Sequence, residues 1–148
     1  MDMDIDDSLP EELKLSVDSL ENMKVLRKLS DSSTVNSAYH TAKKRWVVVK
    51  EDERAYHEVN LLRNLDHPHV VELFGILEPA QPYELPAVVE EYIDGKDLGE
   101  WLGTDMLHWR NNGLRVCQEV AEAVTYIHRK DIAHRDIKPG VYIRPFQL

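Results

Sequence analysis

Cysteine, glycine and long apolar runs are all scarce in this 148-residue chain, and each scarcity excludes something. A single cysteine, Cys117, allows no internal disulfide and fits a reducing compartment. No apolar stretch approaches the roughly 20 residues that a membrane-spanning helix needs, so no membrane partner is expected. The opening "MDMDIDDSLPEEL" lacks the basic-then-apolar pattern of a secretory leader. Basic residues are outnumbered, 18 against 27 acids, for a net charge of −9. Seven of those charges come from residues 1–21, where eight acids face only Lys14, leaving −2 for the rest. Without a basic face, nucleic acid is not expected as a partner. Seven histidines are present, but none has a cysteine partner or convergent spacing, so no metal ligands are assigned. None of the six glycines lies between Leu29 and Tyr39, where the chain reads "LSDSSTVNSAY".

What is present has the texture of a folded α+β chain, 43% hydrophobic and 30% charged. Residues 1–22 read as an acidic leader, partly disordered or carrying a short helix. "SLPEEL" has the spacing of a helix start, and Leu13, Val17 and Leu20 share a helical face near 10–20. Residues 23–29 and 37–50 read as strands broken by "SDSSTVNS", the clearest being the β-branched run "RWVVVK". Residues 52–65 are expected to be helical, with Ala55, Val59, Leu62 and Leu65 buried, closing before Pro68. "VVELFGIL" and "LPAVVEEYI" are two further strands. "GKDLGEWL" begins a short helix, and a longer one from Trp109 to His128 carries Cys117, Val120, Val124 and Ile127 on one stripe. Cys117 is therefore expected as a buried small hydrophobe. Strands, one helix, strands, then helices make a small sheet lobe followed by a helical one.

The chemistry is concentrated in "AHRDIKP", whose bland reading is a salt-bridged turn after a helix. The string matches the catalytic-loop signature of protein kinases. The chain thereby resembles a eukaryotic protein kinase domain, and Lys138 points to the serine/threonine branch. Three other segments follow the family's order. "VVVK" is similar to the strand whose lysine, here Lys50, grips nucleotide phosphates. Glu58, ten residues before Pro68, stands where the family has the glutamate that pairs with that lysine. "VVEEYIDGKDL" resembles the link between lobes, which implies that the main chain of Glu91 and Ile93 bonds adenine and that Asp97 approaches the ribose. The resemblance makes Asp136 the acceptor of the substrate hydroxyl proton and Lys138 the neutraliser of the transferring phosphoryl group. It implies a protein-kinase-like α+β fold, with a small antiparallel-sheet lobe and one helix over 23–93. The first helices of an incomplete helical lobe would then occupy 94–148. ATP and Mg2+ are the expected cofactors, and a protein substrate or partner protein the expected partner. The expected setting is intracellular, the cytoplasm first, with the nucleus also compatible.

The departures from the family pattern are specific. The phosphate-covering loop has lost every glycine and gained Asp31, which hinders close backbone approach. Glu90 stands at the position behind adenine, where the family has an apolar residue or threonine. A carboxylate there must find a partner or take up a proton. The link from Lys50 to Glu58 is short for the family. Val141 occupies the place of the magnesium-binding asparagine, and valine has no oxygen to offer a hard cation. Leu148 ends the chain before any aspartate-phenylalanine-glycine motif. The expectation is a kinase domain fragment, whose parent transfers the ATP γ-phosphate to protein Ser/Thr hydroxyls while this chain is itself inactive. The alternative is a pseudokinase-like, non-catalytic binding or scaffold module.

Overall fold

The computed structural model describes residues 9–28, 34–104, 106–141 and 143–145. It divides into two compact units. One runs to Asn64 and resumes over Glu72–Tyr92; the other holds Leu65–Val71 and the chain from Ile93 onward. Helices and a sheet segregate along the chain, as an α+β fold requires.

The first unit is built on strands β1 (Lys14–Leu15), β2 (Leu20–Lys28), β3 (Thr34–His40) and β4 (Arg45–Glu51). Helix α1 (Ala55–Leu62) follows, then β5 (Leu73–Leu77) and β6 (Ala87–Glu91). The sheet order is β1-β5-β6-β4-β3-β2, antiparallel throughout except for the short parallel pair β1 and β5. Period-two alternation in "RWVVVK" sends Val47 and Val49 to one face and Val48 and Lys50 to the other. Val47, Val49, Ala38, Phe74, Ala87 and Val89 form one buried cluster. On the opposite face Ala55 and Val59, one turn apart on α1, pack with Ile76, Val88 and Leu9. Val47, Val59, Ile76, Val88 and Val89 are fully buried, and each contributes about 1.5–3 kcal/mol of transfer free energy.

In this unit three stretches differ from the sequence reading. Residues 10–20 do not form an α-helix. They make a 3-10 turn over Glu11–Leu13, strand β1, and a second 3-10 turn over Val17–Ser19. A helix of that length is marginal in water, and edge pairing with β5 satisfies the backbone instead. The apolar stripe splits accordingly, with Leu20 buried, Leu13 half-buried and Val17 exposed. Residues 1–8 lie outside the described residues. The polar run expected as a break supplies the start of β3: Thr34–Ser37 pair with β2, and Val35–Ser37 pair with β4 as well. Helix α1 covers less than 52–65, because the Asp52 side chain accepts the Arg54 N–H at 2.7 Å in a turn. Ala55 and Val59 are buried as expected, whereas Leu62 and Leu65 are only half-buried.

Gly75 shows why β1 can dock. Its φ of +154° is a conformation that other residues rarely adopt, and an added Cβ would lie 2.3 Å from the Leu13 carbonyl oxygen.

The second unit carries β7 (Gly95–Asp97), α2 (Leu98–Thr104), α3 (Met106–His128) and β8 (Ile143–Pro145), which pairs antiparallel with β7. Among the described residues of α3, Val116 and Ile127 are buried. Cys117 is exposed, contrary to the stripe expected for it, because Val116 and not Cys117 faces inward. Tyr126 fastens the Leu65–Val71 segment: its hydroxyl accepts the Asp66 N–H at 2.8 Å and its ring lies 4.9 Å from that of His67. At the C-terminus of α3, Asp131 takes φ +59° and the Ile132 N–H returns to the Ile127 carbonyl at 3.0 Å. That closure is a glycine-type helix stop made by aspartate, and it releases the chain into "IAHRD".

Gly75→Ala is expected to destabilise the chain by about 2 kcal/mol or more, through both backbone strain and the clash with Leu13. Leu114→Ala, at an exposed site, should stay within about 0.5 kcal/mol. Urea unfolding midpoints check both, and equal midpoints would contradict the docking of β1 on β5.

Candidate active site

In the first unit, β4 and α1 bring two of the expected residues together. Lys50 Nζ donates to Glu58 Oε1, with both side chains half-buried. The eight-residue link is long enough because α1 starts at Ala55 and Glu58 falls in its first turn, facing β4. Lys50 pairs with Val88 across the sheet, and Val48 pairs with Glu90. Lys50 and Glu90 therefore share the face that α1 covers, as diagonal cross-strand neighbours on the order of 7 Å apart.

The electrostatics follow from that placement. Burial pushes the Glu90 carboxyl above the ordinary range; Lys50 opposes the shift and Glu58 adds to it. Burial pulls the Lys50 ammonium down, but the charge of Glu90, the Glu58 hydrogen bond and Asp52 more than reverse this, leaving it raised. One cation thus serves two half-buried carboxylates.

Glu91 has a different setting. Its N–H donates to the Glu72 carbonyl at 2.9 Å, and its carboxylate lies 3.5 Å from Arg45 Nη2 and accepts the Glu72 N–H at 3.4 Å. Arg45 also binds Glu72 at 2.7 Å and stands over the Phe74 ring. Sequence reasoning missed this network, since nothing local in "KKRW" announces it. Residues 29–33, the heart of the glycine-free loop, lie outside the described residues. The described end of that segment is tied down: Thr34 N–H and Oγ1 both donate to Glu51 Oε2, at 3.1 and 2.5 Å.

In the second unit, Ile93 is half-buried ahead of β7. Asp97 caps α2: its Oδ1 accepts the Glu100 N–H at 2.9 Å, and Glu100 Oε2 accepts the Asp97 N–H at 3.2 Å. This reciprocal cap was legible in the "DLGE" spacing but passed unread. Asp136 and Lys138 are joined, with Nζ 2.7 Å from Oδ2, on an exposed loop. The hydrogen bond and charge of Lys138 hold the Asp136 carboxyl below the usual range, so it is ionised at neutral pH. The Asp136 N–H donates to His134 Nδ1 at 3.3 Å, and Arg135 takes φ +63° to turn the loop. Val141, in the 3-10 turn Pro139–Val141, offers only carbon.

Residues 22–140 match the family model described as "Protein kinase domain". This chain belongs to the protein kinase family. It is similar to the serine/threonine-protein kinase RAD53 of Saccharomyces cerevisiae, 32% identical over 82 residues, covering 55% of this chain and 10% of that protein. It is also similar to the probable serine/threonine-protein kinase MARK-C of Dictyostelium discoideum, 24% identical over 90 residues, covering 61% of this chain and 12% of that protein. The chain spans about a tenth of the length of these relatives. Among solved structures, Rad53 1–466 in complex with AMP-PNP superposes with a TM-score of 0.69 at 23% identity, covering 86% of this chain and 37% of that chain. The kinase fold accounts for the sheet, α1 and α3. Among the described residues no helix is long and apolar enough to cross a membrane.

Because the folded kinase unit holds the Glu90 proton more tightly than an unfolded chain does, this group favours folding below about pH 4.3. That contribution is lost as pH rises through the raised folded value. Glu90→Gln is therefore expected to gain melting temperature relative to the unchanged chain as pH rises from about 4 to 7. Circular dichroism melts check this, and a difference that does not vary with pH contradicts it.

Proposed function

We propose that this chain is a protein kinase domain fragment whose Lys50 holds the phosphates of ATP, and that it does not itself complete phosphoryl transfer. The Lys50–Glu58 ion pair carries the reading. An ammonium with three donors, one spent on Glu58, keeps two for phosphate oxygens and has its position set by α1. The main chain of Glu91 and Ile93 is the proposed adenine contact. Asp97 is the proposed ribose contact, through Oδ2, since Oδ1 serves the α2 cap.

In the longer parent, the γ-phosphoryl group of ATP would pass to a Ser or Thr hydroxyl of a protein substrate. Asp136, ionised and held by Lys138, would accept the hydroxyl proton, while Lys138 would lean toward the phosphoryl oxygens. Magnesium would neutralise phosphate charge in such a site. The residues present do not fit it at one expected position, because Val141 provides no donor atom. An intracellular setting is supported by the lone cysteine and by kinship with kinases.

A second reading, a pseudokinase-like binding or scaffold module, is favoured by Val141 and by the extra carboxylate of Glu90 beside Lys50. Both readings expect no turnover from this chain; they differ in the longer parent, which transfers phosphate in the first reading and does not in the second. Lys50→Ala should weaken ATP binding roughly tenfold or more in a labelled-nucleotide titration, and equal affinity would reject Lys50 as a phosphate ligand. A radiolabelled-phosphate assay with generic protein substrates and magnesium or manganese should show no turnover. Turnover that disappears in Asp136→Ala would overturn the inactive assignment.

A further inference from the structure

Glu90 is unexplained by packing alone. The strand positions around it on the α1 face are filled by Val48, Val88 and Leu73, and an apolar residue would extend that surface. Instead a carboxylate stands half-buried, diagonal to the one lysine that the phosphate reading requires. Glu58 already satisfies Lys50 by a direct hydrogen bond. A second carboxylate on the same face is therefore redundant for holding the lysine, and when it is ionised the trio carries one surplus negative charge. Any anion that comes to Lys50 must approach that surplus across a short, partly dehydrated distance, where like charges repel far more than in open water.

We propose that Glu90 is a specificity-determining residue that screens Lys50 from anionic ligands, so that this site discriminates against phosphate in proportion to its charge. The inference rests on the nucleotide reading and deepens it. The consequence is an altered ranking of ligands. A neutral nucleoside meets no penalty from Glu90, a diphosphate meets more, and a triphosphate meets most. Glu58 hydrogen-bonds the ammonium and sets its place, whereas Glu90 acts on Lys50 through its charge from the neighbouring strand.

Competition titrations of adenosine, ADP and ATP against a fluorescent adenine ligand, in EDTA so that no metal masks the phosphates, test the ranking. Glu90→Gln keeps the shape and removes the charge; Glu90→Met checks that the result does not depend on the amide. Both variants should bind ATP about fivefold to tenfold more tightly than the unchanged chain, ADP by less, and adenosine equally. A gain that is the same for all three ligands, or absent for ATP, overturns the proposal.

A second arm needs no nucleotide. The acylation rate of Lys50 by a sulfonated, anionic active ester is compared with the rate for its neutral counterpart, read by peptide mass. Glu90→Gln should raise the ratio of anionic to neutral rates severalfold, and an unchanged ratio overturns the screening. The two readings fail differently. If Lys50→Ala leaves ATP affinity untouched, the nucleotide assignment falls, while the acylation ratio still decides the role of Glu90.

Discussion

The salt bridge between Lys50 and Glu58 is the contact on which the first unit's functional geometry depends. It ties the last turn of strand logic in β4 to the first turn of α1, across a link of only eight residues. The pair is half-buried, so it is neither a screened surface contact nor a fully dehydrated one. In that regime geometry decides the sign. The apolar contacts of Ala55 and Val59 with Ile76 and Val88 fix where α1 lies, and the ion pair follows from that packing. A core of β-branched residues thus positions a charged group without that group having to stabilise the fold by itself.

Glu90 changes what this geometry can do. A kinase-type lysine paired with one glutamate is a prepared anion site; the same lysine facing two carboxylates is already electrostatically occupied. The two carboxylates also differ. Glu58 is hydrogen-bonded to the ammonium, while Glu90 acts on it through space from the neighbouring strand and carries a raised proton affinity of its own. The sheet register, Val48 opposite Glu90 and Lys50 opposite Val88, makes this a property of backbone pairing and not of a chance rotamer. In the second unit the counterpart is simpler. Asp136 and Lys138 face each other on an exposed loop, and Asp131 supplies the left-handed residue that lets the loop leave α3.

Much of this was legible in the sequence, for identifiable reasons. "RWVVVK" is a β-branched run of the kind that favours a strand, and Ala55 and Val59 are spaced for one helix face. The family motifs carry the order of Lys50, Glu58 and Asp136. Two of the misreadings share a cause, which is that tertiary contacts overruled local pattern. Residues 10–20 have helical spacing, but Gly75 on β5 lets the backbone of Leu13 approach closely, and Lys14 and Leu15 pair with Ile76 and Leu77 beside it. Cys117 and Val116 are adjacent, and which of them faces inward depends on how α3 packs, not on the stripe alone. Asp97 shows the converse: a cap readable from spacing was eclipsed by a role inferred from resemblance.

A double-mutant cycle tests the central claim most directly. Urea unfolding of the unchanged chain, Lys50→Met, Glu58→Gln and the double variant isolates the energy of the pair from the cost of altering either side chain. The account predicts a favourable coupling of about 1 kcal/mol between Lys50 and Glu58. Additive effects, with no coupling between the two positions, would contradict it.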